Sequence, residues 1–382
     1  MYPTAHRFIL ILSICAAWVL ISWASVFKYL SHGKAALTMV LGVVAIALGM
    51  HWLDRFNQRD RQIGVGWFVL LFLILTAAFA VLYPISLKHT LNAGSDREDA
   101  LRLELSAILH HQYPYDAHTF LGNPPTPLPG ALLLAAPFFA FGHIAWQNLL
   151  WFALFFIFTV HFFRHRATAL FFLVLFLLFV PADLFDFTSG GDYLTNFFYL
   201  AIAVALLIRS LDLKSEASFL AALFLGLTLS SRIIYAIVLL PLLALTLQRT
   251  SRSRALALFI VVLLAASAVT FPIFTPHVFT HLSQQLGQSS PKLRYIPSAL
   301  HPGWTLPLLA IVVGGTAFFI RMNLPRLFLI FSIASFVLLA PFVITFALHS
   351  EKLRYNFAYL SVSVLAFSLW AFSHYESHSV DS

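Results

Sequence analysis

Residues 64–86 read GVGWFVLLFLILTAAFAVLYPIS, a continuous apolar run without one charged side chain. An α-helix rises about 1.5 Å per residue, so this run is long enough to cross the roughly 30 Å hydrocarbon core of a bilayer. Its apolar residues do not alternate with polar ones, as they would in a strand of a membrane β-barrel. The segment therefore predicts a transmembrane helix, in which each backbone polar group finds its partner within the helix itself.

The whole chain shares this composition. Apolar residues make up 60% of its 382 residues, charged residues make up 10%, and the mean hydropathy is +0.87. A water-soluble domain is about a quarter charged, so this chain has too few charges to cover a surface exposed to water. Its net charge of +8 comes from small basic clusters between apolar runs, which is typical of cytoplasmic loops. We expect membrane lipid around the chain and no nucleic-acid partner.

Eleven further apolar runs divide the chain on either side of residues 64–86. We predict an all-α, polytopic membrane protein of about 12 transmembrane helices, forming a single integral membrane domain over residues 1–382. The stretch 217–248 is too long for one span, and we interpret it as two short helices that meet at Ser230-Ser231-Arg232. The twelve runs lie at 8–30, 35–53, 64–86, 144–163, 167–182, 193–208, 217–231, 233–248, 255–273, 305–320, 327–348 and 356–373.

The distribution of lysine and arginine between the loops indicates how the chain is oriented in the membrane. With the N-terminus in the cytoplasm, more than half of the 23 basic residues fall in inner loops, as the positive-inside rule requires. An even number of spans then places both termini in the cytoplasm. Arg7 followed by the first run is typical of an uncleaved signal anchor, and we expect a protein of the bacterial plasma membrane. Cys15 is the only cysteine, which excludes an intramolecular disulfide and a cysteine-based metal site.

Two outer segments, 87–143 and 274–304, are long enough to hold chemistry. In the first, residues 95–110 have the pattern of a short amphipathic helix lying flat on the membrane, with Ser95 or Asp96 as its N-cap. Residues 131–141 are too short to cross a bilayer, so we interpret them as an interfacial or re-entrant helix. The apolar stripe of the first helix consists of Leu101, Leu105, Ile108 and Leu109.

Three acids open this first helix. Asp96, Glu98 and Asp99 lie where a lipid interface and neighbouring like charges raise the pKa of a carboxyl, which suits a general base. The alternative is that they are solvated and complement the helix dipole. His110 and His111, with the polar residues after them, offer ligands for a divalent metal. They lack an HExxH-type spacing, which favours ordinary polar loop residues.

Arg232 interrupts an apolar stretch of about thirty residues, where a charge costs at least roughly 2.5–3.5 kcal/mol. Such a cost indicates either an anionic ligand, with a guanidinium well shaped to bind phosphate, or a salt bridge to Asp192 or Asp183. Two basic-aromatic clusters fall on the same side. They are either further anion-binding groups or headgroup anchors, and they consist of Lys292-Leu293-Arg294-Tyr295 and Lys352-Leu353-Arg354-Tyr355.

The order of these features resembles that of the GT-C membrane glycosyltransferases, particularly the polyprenol-phosphate-mannose-dependent mannosyltransferases and related bacterial families. In those enzymes an early outer-loop acid precedes a juxtamembrane helix, a Pro-Tyr turn, a proline-rich stretch and a short helix ending in Phe-Gly. The family's lysine late in this order is replaced by Arg232. The similar segments here are Asp96 to Asp99, residues 100–111, Gln112-Tyr113-Pro114-Tyr115, Pro124 to Pro129, Phe141-Gly142, Gly190 to Asn196 and Gly226 to Arg232.

The resemblance implies a glycosyltransferase that moves a sugar, such as mannose, from a polyprenyl-phosphate donor to an acceptor on the extracytoplasmic face. One of the three first-loop acids, with Asp96 the first choice, would be the general base. No nucleotide cofactor is expected, and a divalent metal remains open. The implied substrate-binding residues are Arg232, Asp192, His110, His111, Tyr115, Arg294, Arg354 and Tyr355.

Two other functions compete with this one. A lipid or small-molecule transporter or flippase also has about twelve spans, although neither inverted repeats nor broken midplane helices stand out. A non-catalytic membrane subunit of a polysaccharide or envelope assembly system is the other. The sequence has no phosphate-binding P-loop, serine nucleophile elbow or Rossmann fingerprint, which argues against an ATPase, a serine hydrolase and a nucleotide-sugar enzyme.

Overall fold

The computed structural model describes residues 3–58, 63–88, 95–213, 215–274, 293, 295–349 and 357–379, and in these residues it is helical without strands. Short 3-10 and π segments join several of the α-helices. The α-helices of the described residues are α1 (Pro3–Tyr29), α2 (His32–Gln58), α3 (Val65–Ser86), α4 (Arg97–Leu109), α5 (Pro129–Ala140), α6 (Trp146–Phe162), α7 (Arg166–Leu173), α8 (Pro181–Thr188), α9 (Tyr193–Asp212), α10 (Ala217–Leu229), α11 (Leu239–Arg249), α12 (Arg252–Phe274), α13 (Pro302–Gly315), α14 (Leu324–His349) and α15 (Ser361–Ser379).

Eight helices in the described part of the chain are long and apolar enough to cross a bilayer. They are α1, α2, α3, α9, α12, α13 with the 3-10 turn after it, α14 and α15. The prediction of an all-α membrane protein is therefore confirmed. The predicted number of twelve spans is not confirmed, because the other four runs form helices that are shorter or bent: α6, the α7–α8 pair, α10 and Ile233–Arg249.

The run predicted as one span over 167–182 contains a break near its end, where the helical stretches Arg166–Leu178 and Pro181–Thr188 meet at 75°. Pro181 begins α8, and a proline disfavours the helical conformation at the residue before it. Val180 is accordingly extended, with φ −95° and ψ 107°. The break leaves the carbonyl of Phe179 outside a regular helix, and the indole N–H of Trp18 in α1 donates to it at 3.0 Å. Hydropathy counts apolar residues and does not show this change of direction.

Helix α9 lies in the middle of the bundle. Of its most apolar stretch, 78% is buried inside the protein, against 11% for α12, whose side chains face outward as expected for a helix in lipid. Phenylalanine fills the space around α9, and Phe155 of α6 stacks on Phe198 with ring centroids 3.8 Å apart. Such stacked and edge-to-face pairs contribute about 0.5–1.5 kcal/mol each beyond the area that they bury.

Helices α14 and α15 pack through small polar side chains. Ser332 donates to the carbonyl of Ser363 at 2.7 Å, and the hydroxyls of Ser335 and Ser363 are also 2.7 Å apart. Small residues let two helices approach closely in a membrane, where packing and interhelical hydrogen bonds replace the hydrophobic effect. Helix α15 also packs against α1 and contacts α2, where the Tyr375 hydroxyl donates to the Met50 carbonyl at 3.2 Å.

Within the predicted outer segment, residues 95–143 form a cap in which α4 packs on α5. The predicted amphipathic helix and the predicted short helix are both present, and the latter ends at Ala140, two residues before Gly142, whose φ is +78°. The stripe of α4 contacts α5, but Leu109 is 68% exposed and does not belong to it, because it lies on the last turn beyond the contact. Most of the second predicted loop, 274–304, lies outside the described residues.

Candidate functional site

Arg232 lies at a break between α10 and the following 3-10 turn, as predicted. The hydroxyls of Ser230 and Ser231 bond back to the carbonyls of Leu227 and Thr228, at 2.9 and 2.6 Å. Side chains that bond to their own backbone in this way weaken a helix. Arg232 itself is extended, with φ −151° and ψ 132°, so that its side chain leaves the helical stretch and turns toward the first residue before α9.

That residue is Asp192, and it forms a buried ion pair with Arg232. The Nη2 atom of Arg232 donates to both carboxylate oxygens at 2.7 Å, and Nη1 donates to the Thr126 hydroxyl at 3.0 Å. The Asp192 side chain is 1% exposed, and that of Arg232 is 15% exposed. Of the two partners expected from the sequence, Asp192 is the one that pairs, whereas Asp183 accepts a hydrogen bond from Ser361.

The turn before α9 is held by a side chain of α6. Asn148 of α6 donates to the carbonyl of Gly191 at 2.9 Å and accepts from the Thr195 hydroxyl at 2.7 Å. Gly190 has φ +74°, a conformation that a residue with a side chain rarely adopts. These contacts fix Asp192 at the start of α9, so the position of its ion pair is set before any ligand binds.

Helix α4 brings a second arginine to the same place. Arg97 pairs with Asp186 of α8, and its guanidinium carbon lies 4.7 Å from the centroid of the Tyr193 ring, within the range of a cation–π contact. Arg97 is within electrostatic range of both Asp192 and Arg232. Its side chain is 19% exposed. Two arginines, each paired with an aspartate, thus lie close together at one end of the bundle, and both side chains are partly exposed.

Glu104 lies two turns after Arg97 on the same face of α4. It has no exposed surface, and neither carboxyl oxygen has a hydrogen-bond partner among the described residues. Burial raises the pKa of Glu104 well above its ordinary value, the charge of Arg232 opposes the rise, and the charge of Asp192 adds to it. Burial therefore favours the neutral, protonated form of this carboxyl.

The proline-rich stretch packs directly on the break that carries Arg232. The backbone N–H groups of Leu128 and Gly130 donate to the carbonyls of Ser231 and Ser230, each at 3.1 Å. A Cβ atom at Gly130 would lie 2.2 Å from the Leu227 carbonyl oxygen, so only glycine allows this approach. Four segments that are far apart in sequence therefore meet at Arg232: α4, the proline-rich stretch, the Gly190–Asp192 turn and the end of α10.

The three acids predicted as candidate bases each bind groups of the protein. Asp96 accepts hydrogen bonds from the side chains of Thr119 and Asn123, both at 2.7 Å. Glu98 is buried and accepts from the Tyr83 hydroxyl at 2.8 Å and from Arg102 at 2.7 Å; Asp99 accepts from the backbone N–H of Phe120 at 2.9 Å. Asp96 holds the N-cap position of α4 without capping it through its side chain.

The remaining predicted residues are spread more widely. Tyr115 is buried beside Glu104, and its hydroxyl donates to the Pro127 carbonyl at 3.0 Å. His110 and His111 are exposed at the far end of α4, about 20 Å along the helix from Arg97 by its rise per residue. No group of three histidines, cysteines or acids among the described residues is placed to hold a metal ion. Arg294, Arg354 and Tyr355 lie outside the described residues.

Sequence reasoning did not assign Arg97, Glu104 or Asp186 to the site. A signal for the first two exists, because Arg97 and Glu104 are seven residues apart on the face that carries Leu101. Charged residues on the apolar face of an amphipathic helix are exceptions to its pattern, and such exceptions indicate a buried polar site.

The arrangement can bind an anion and hold a proton near it. Two partly exposed guanidinium groups offer donors with the geometry that phosphate prefers, and several carboxyls lie close by to take up or keep protons. Comparison of the chain with protein families, curated proteins and solved structures gave no match.

Proposed function

We propose that this protein is a membrane glycosyltransferase of GT-C type that moves a sugar from a polyprenyl-phosphate donor to an acceptor hydroxyl. The observation that carries the proposal is the convergence on Arg232 of the segments in which the sequence resembles that family. Thr126 and Asp192 bind its guanidinium, and the charge of Arg232 acts on both Arg97 and Glu104. If these segments only connected apolar helices, nothing would require them to meet around two arginines.

The proposed reaction assigns one task to each half of the site. A first-loop carboxylate, with Asp96 the first choice, takes the proton from the acceptor hydroxyl, whose oxygen bonds to the anomeric carbon of the sugar. The bond from that carbon to the phosphate oxygen breaks, and polyprenyl phosphate leaves with the electron pair. Arg232 and Arg97 stabilise the negative charge of the departing phosphate. The polyprenyl chain lies in lipid between the apolar helices.

The test is a transfer assay with the purified protein. A panel of radiolabelled polyprenyl-phosphate sugars is incubated with the protein in a membrane lipid extract, and labelled products are separated from the donor. We expect transfer from at least one donor, and a matched panel of nucleotide sugars should give none. If lipid phosphate instead crosses the bilayer of reconstituted vesicles without sugar transfer, the protein is a flippase and the proposal is wrong.

The orientation of the chain belongs to the same proposal. We place α4 and α5 on the extracytoplasmic side and both termini in the cytoplasm, with α6, the α7–α8 pair, α10 and Ile233–Arg249 completing twelve spans. After replacement of Cys15 by serine, single cysteines at positions 118–122 should react with a membrane-impermeant reagent in intact cells. Cysteines at 56–60 should not react. The reverse labelling pattern would show that the chain has the opposite orientation, and the reaction could then not take place on the extracytoplasmic face.

A further inference from the structure

Several buried polar groups around the ion pair of Arg232 and Asp192 have no hydrogen-bond partner within the described part of the chain. They are the Nε atom of Arg232, the hydroxyl of Tyr235, the indole Nε1 of Trp151 and both carboxyl oxygens of Glu104. An unpaired polar group in a low-dielectric interior costs roughly 1–3 kcal/mol, so a group of them in one place calls for an explanation.

These groups share a neighbourhood. The charges of Arg232 and Asp192 act on both Tyr235 and Glu104. The ring of Trp151 lies 5.3 Å from that of Tyr199, which is itself within range of the same two charges. The side chains of Arg232 and Arg97 are 15% and 19% exposed, so these two arginines are the part of the cluster that is open to the outside.

The unpaired groups also share a chemical role. The Nε of Arg232, the Tyr235 hydroxyl and the Trp151 indole are hydrogen-bond donors. A carboxyl is an acceptor when ionised, but a neutral carboxyl offers an O–H donor. Burial beside Asp192 favours the neutral form of Glu104, whose pKa is raised. Each unpaired group can thus donate a hydrogen bond, and a ligand group that is rich in acceptor oxygens and poor in donors, such as a phosphate diester, can accept from all of them.

We propose that neutral Glu104 donates a hydrogen bond to a phosphate oxygen of the bound ligand, and that Arg232 Nε and the Tyr235 hydroxyl complete its phosphate-binding group. This inference rests on the proposed function for the identity of the ligand, a lipid phosphate diester. A neutral acid is suited to this place because an ionised carboxylate would repel the phosphate that the arginines attract. Glu104 is therefore a binding residue, distinct from the general base in the first turn of α4.

Among the ionisable groups close to Glu104, we expect only Glu104 itself to change its charge over the pH range of the binding experiment. Arg232 remains protonated, because a guanidinium does not lose its proton in a protein, and it is paired with Asp192. Burial raises the pKa of Tyr115 well above its ordinary value, so this phenol stays neutral as well. As the pH rises and Glu104 loses its proton, we expect the affinity for a phosphate diester to fall.

The experiment measures equilibrium binding of a radiolabelled short-chain prenyl methyl phosphate diester to the purified full-length protein in detergent. A diester lacks the second ionisable proton, which gives a monoester a pKa of about 6, so its own charge stays constant. Glu104→Gln keeps a neutral donor of the same shape and should bind within about twofold of the wild type. Glu104→Leu removes the donor and should bind at least about tenfold more weakly.

The pH profile is the second readout, and it does not require the leucine variant to fold. The wild-type affinity should fall with rising pH, that of Glu104→Gln should stay level, and Asp116→Asn, which changes an exposed acid of the same segment, should follow the wild type. Parallel profiles for wild type and Glu104→Gln would overturn the proposal, as would tighter binding by Glu104→Gln at the acidic end of the profile, where Glu104 is protonated, or unchanged binding there by folded Glu104→Leu. Binding that follows the expected pattern without sugar transfer would refute the proposed function alone, whereas transfer with parallel profiles would refute the role of Glu104 alone.

Discussion

Replacement of Arg232 by glutamine should destabilise the protein, because it leaves the buried carboxylate of Asp192 without its positive partner. The Asp192 side chain is 1% exposed and would keep one hydrogen bond, from Asn196 at 2.9 Å. Removal of one partner of a buried ion pair costs roughly 3–5 kcal/mol, mostly because the other charge stays in a low-dielectric site. Since Arg232 keeps some access to solvent, we expect a loss in the lower half of that range.

A double-mutant cycle separates this charge effect from other losses. Arg232→Gln combined with Asp192→Asn removes both charges and should recover at least half of the stability that Arg232→Gln loses alone. Unfolding is followed by tryptophan fluorescence as sodium dodecyl sulfate is added to detergent micelles. If the two single losses simply add in the double variant, the coupling between the side chains is absent and the reasoning from the ion pair is refuted.

The same double variant also tests whether Arg232 binds phosphate, because neither member of the ion pair is left in it as an unpaired buried charge. The double variant should be folded but should bind the lipid-phosphate donor at least about tenfold more weakly, or roughly 1.4 kcal/mol, because the guanidinium is gone. Radiolabelled donor binding in detergent measures this affinity. Unchanged affinity in the folded double variant would leave Arg232 with a structural role only.

Three further predictions concern the cap and the turn before α9. Asp96→Asn should lower the rate of sugar transfer by roughly 10²–10⁴ if this acid is the base, and a wild-type rate in the transfer assay would exclude it. Gly190→Ala should lose more stability on detergent unfolding than Gly142→Ala, since both have positive φ but a Cβ at Gly190 would lie 2.7 Å from a carboxylate oxygen, whereas that at Gly142 meets open space. The raised pKa of Glu104 means that its contribution to stability is present below its ordinary value of 4.5 and is lost as the pH rises through the higher folded value. Unfolding measured across pH should therefore show the wild type losing stability relative to Glu104→Gln as the solution becomes more alkaline.

Helix positions that depend on local sequence could be predicted well. The amphipathic pattern of α4, the short length of α5 and the break at Ser230-Ser231-Arg232 are all local features, and the structure has each of them. The bend between α7 and α8 was not predicted, although Pro181 is a sequence signal for it. A hydropathy window averages the apolar character of residues on both sides of a proline and carries no information about the direction of the backbone.

The candidate site could be predicted only in part. The sequence indicated that Arg232 needs a partner or a ligand and named Asp192 among two acids, but the choice depends on how α9 is oriented. The spacing of α4 places Glu104 on the apolar face with Leu101, but the groups that surround it there come from distant segments and could not be inferred from the helix pattern. The roles of Asp96, Glu98 and Asp99 stay predictions.

The place of α15 in the bundle has a consequence for the order in which the protein assembles. Helix α15 is made after every element against which it packs, yet it supplies fully buried side chains such as Leu365 and Phe372 and contacts α1 and α14. Until it enters the bilayer, the groove that it fills must be occupied by lipid or closed by a shift of its neighbours. Ser361, at its first residue, then bonds to Asp183 at 2.8 Å. Helix α8, which carries Asp183, therefore acquires this support only after α15 has entered the bilayer, and the helices made before α15 form a scaffold that awaits it.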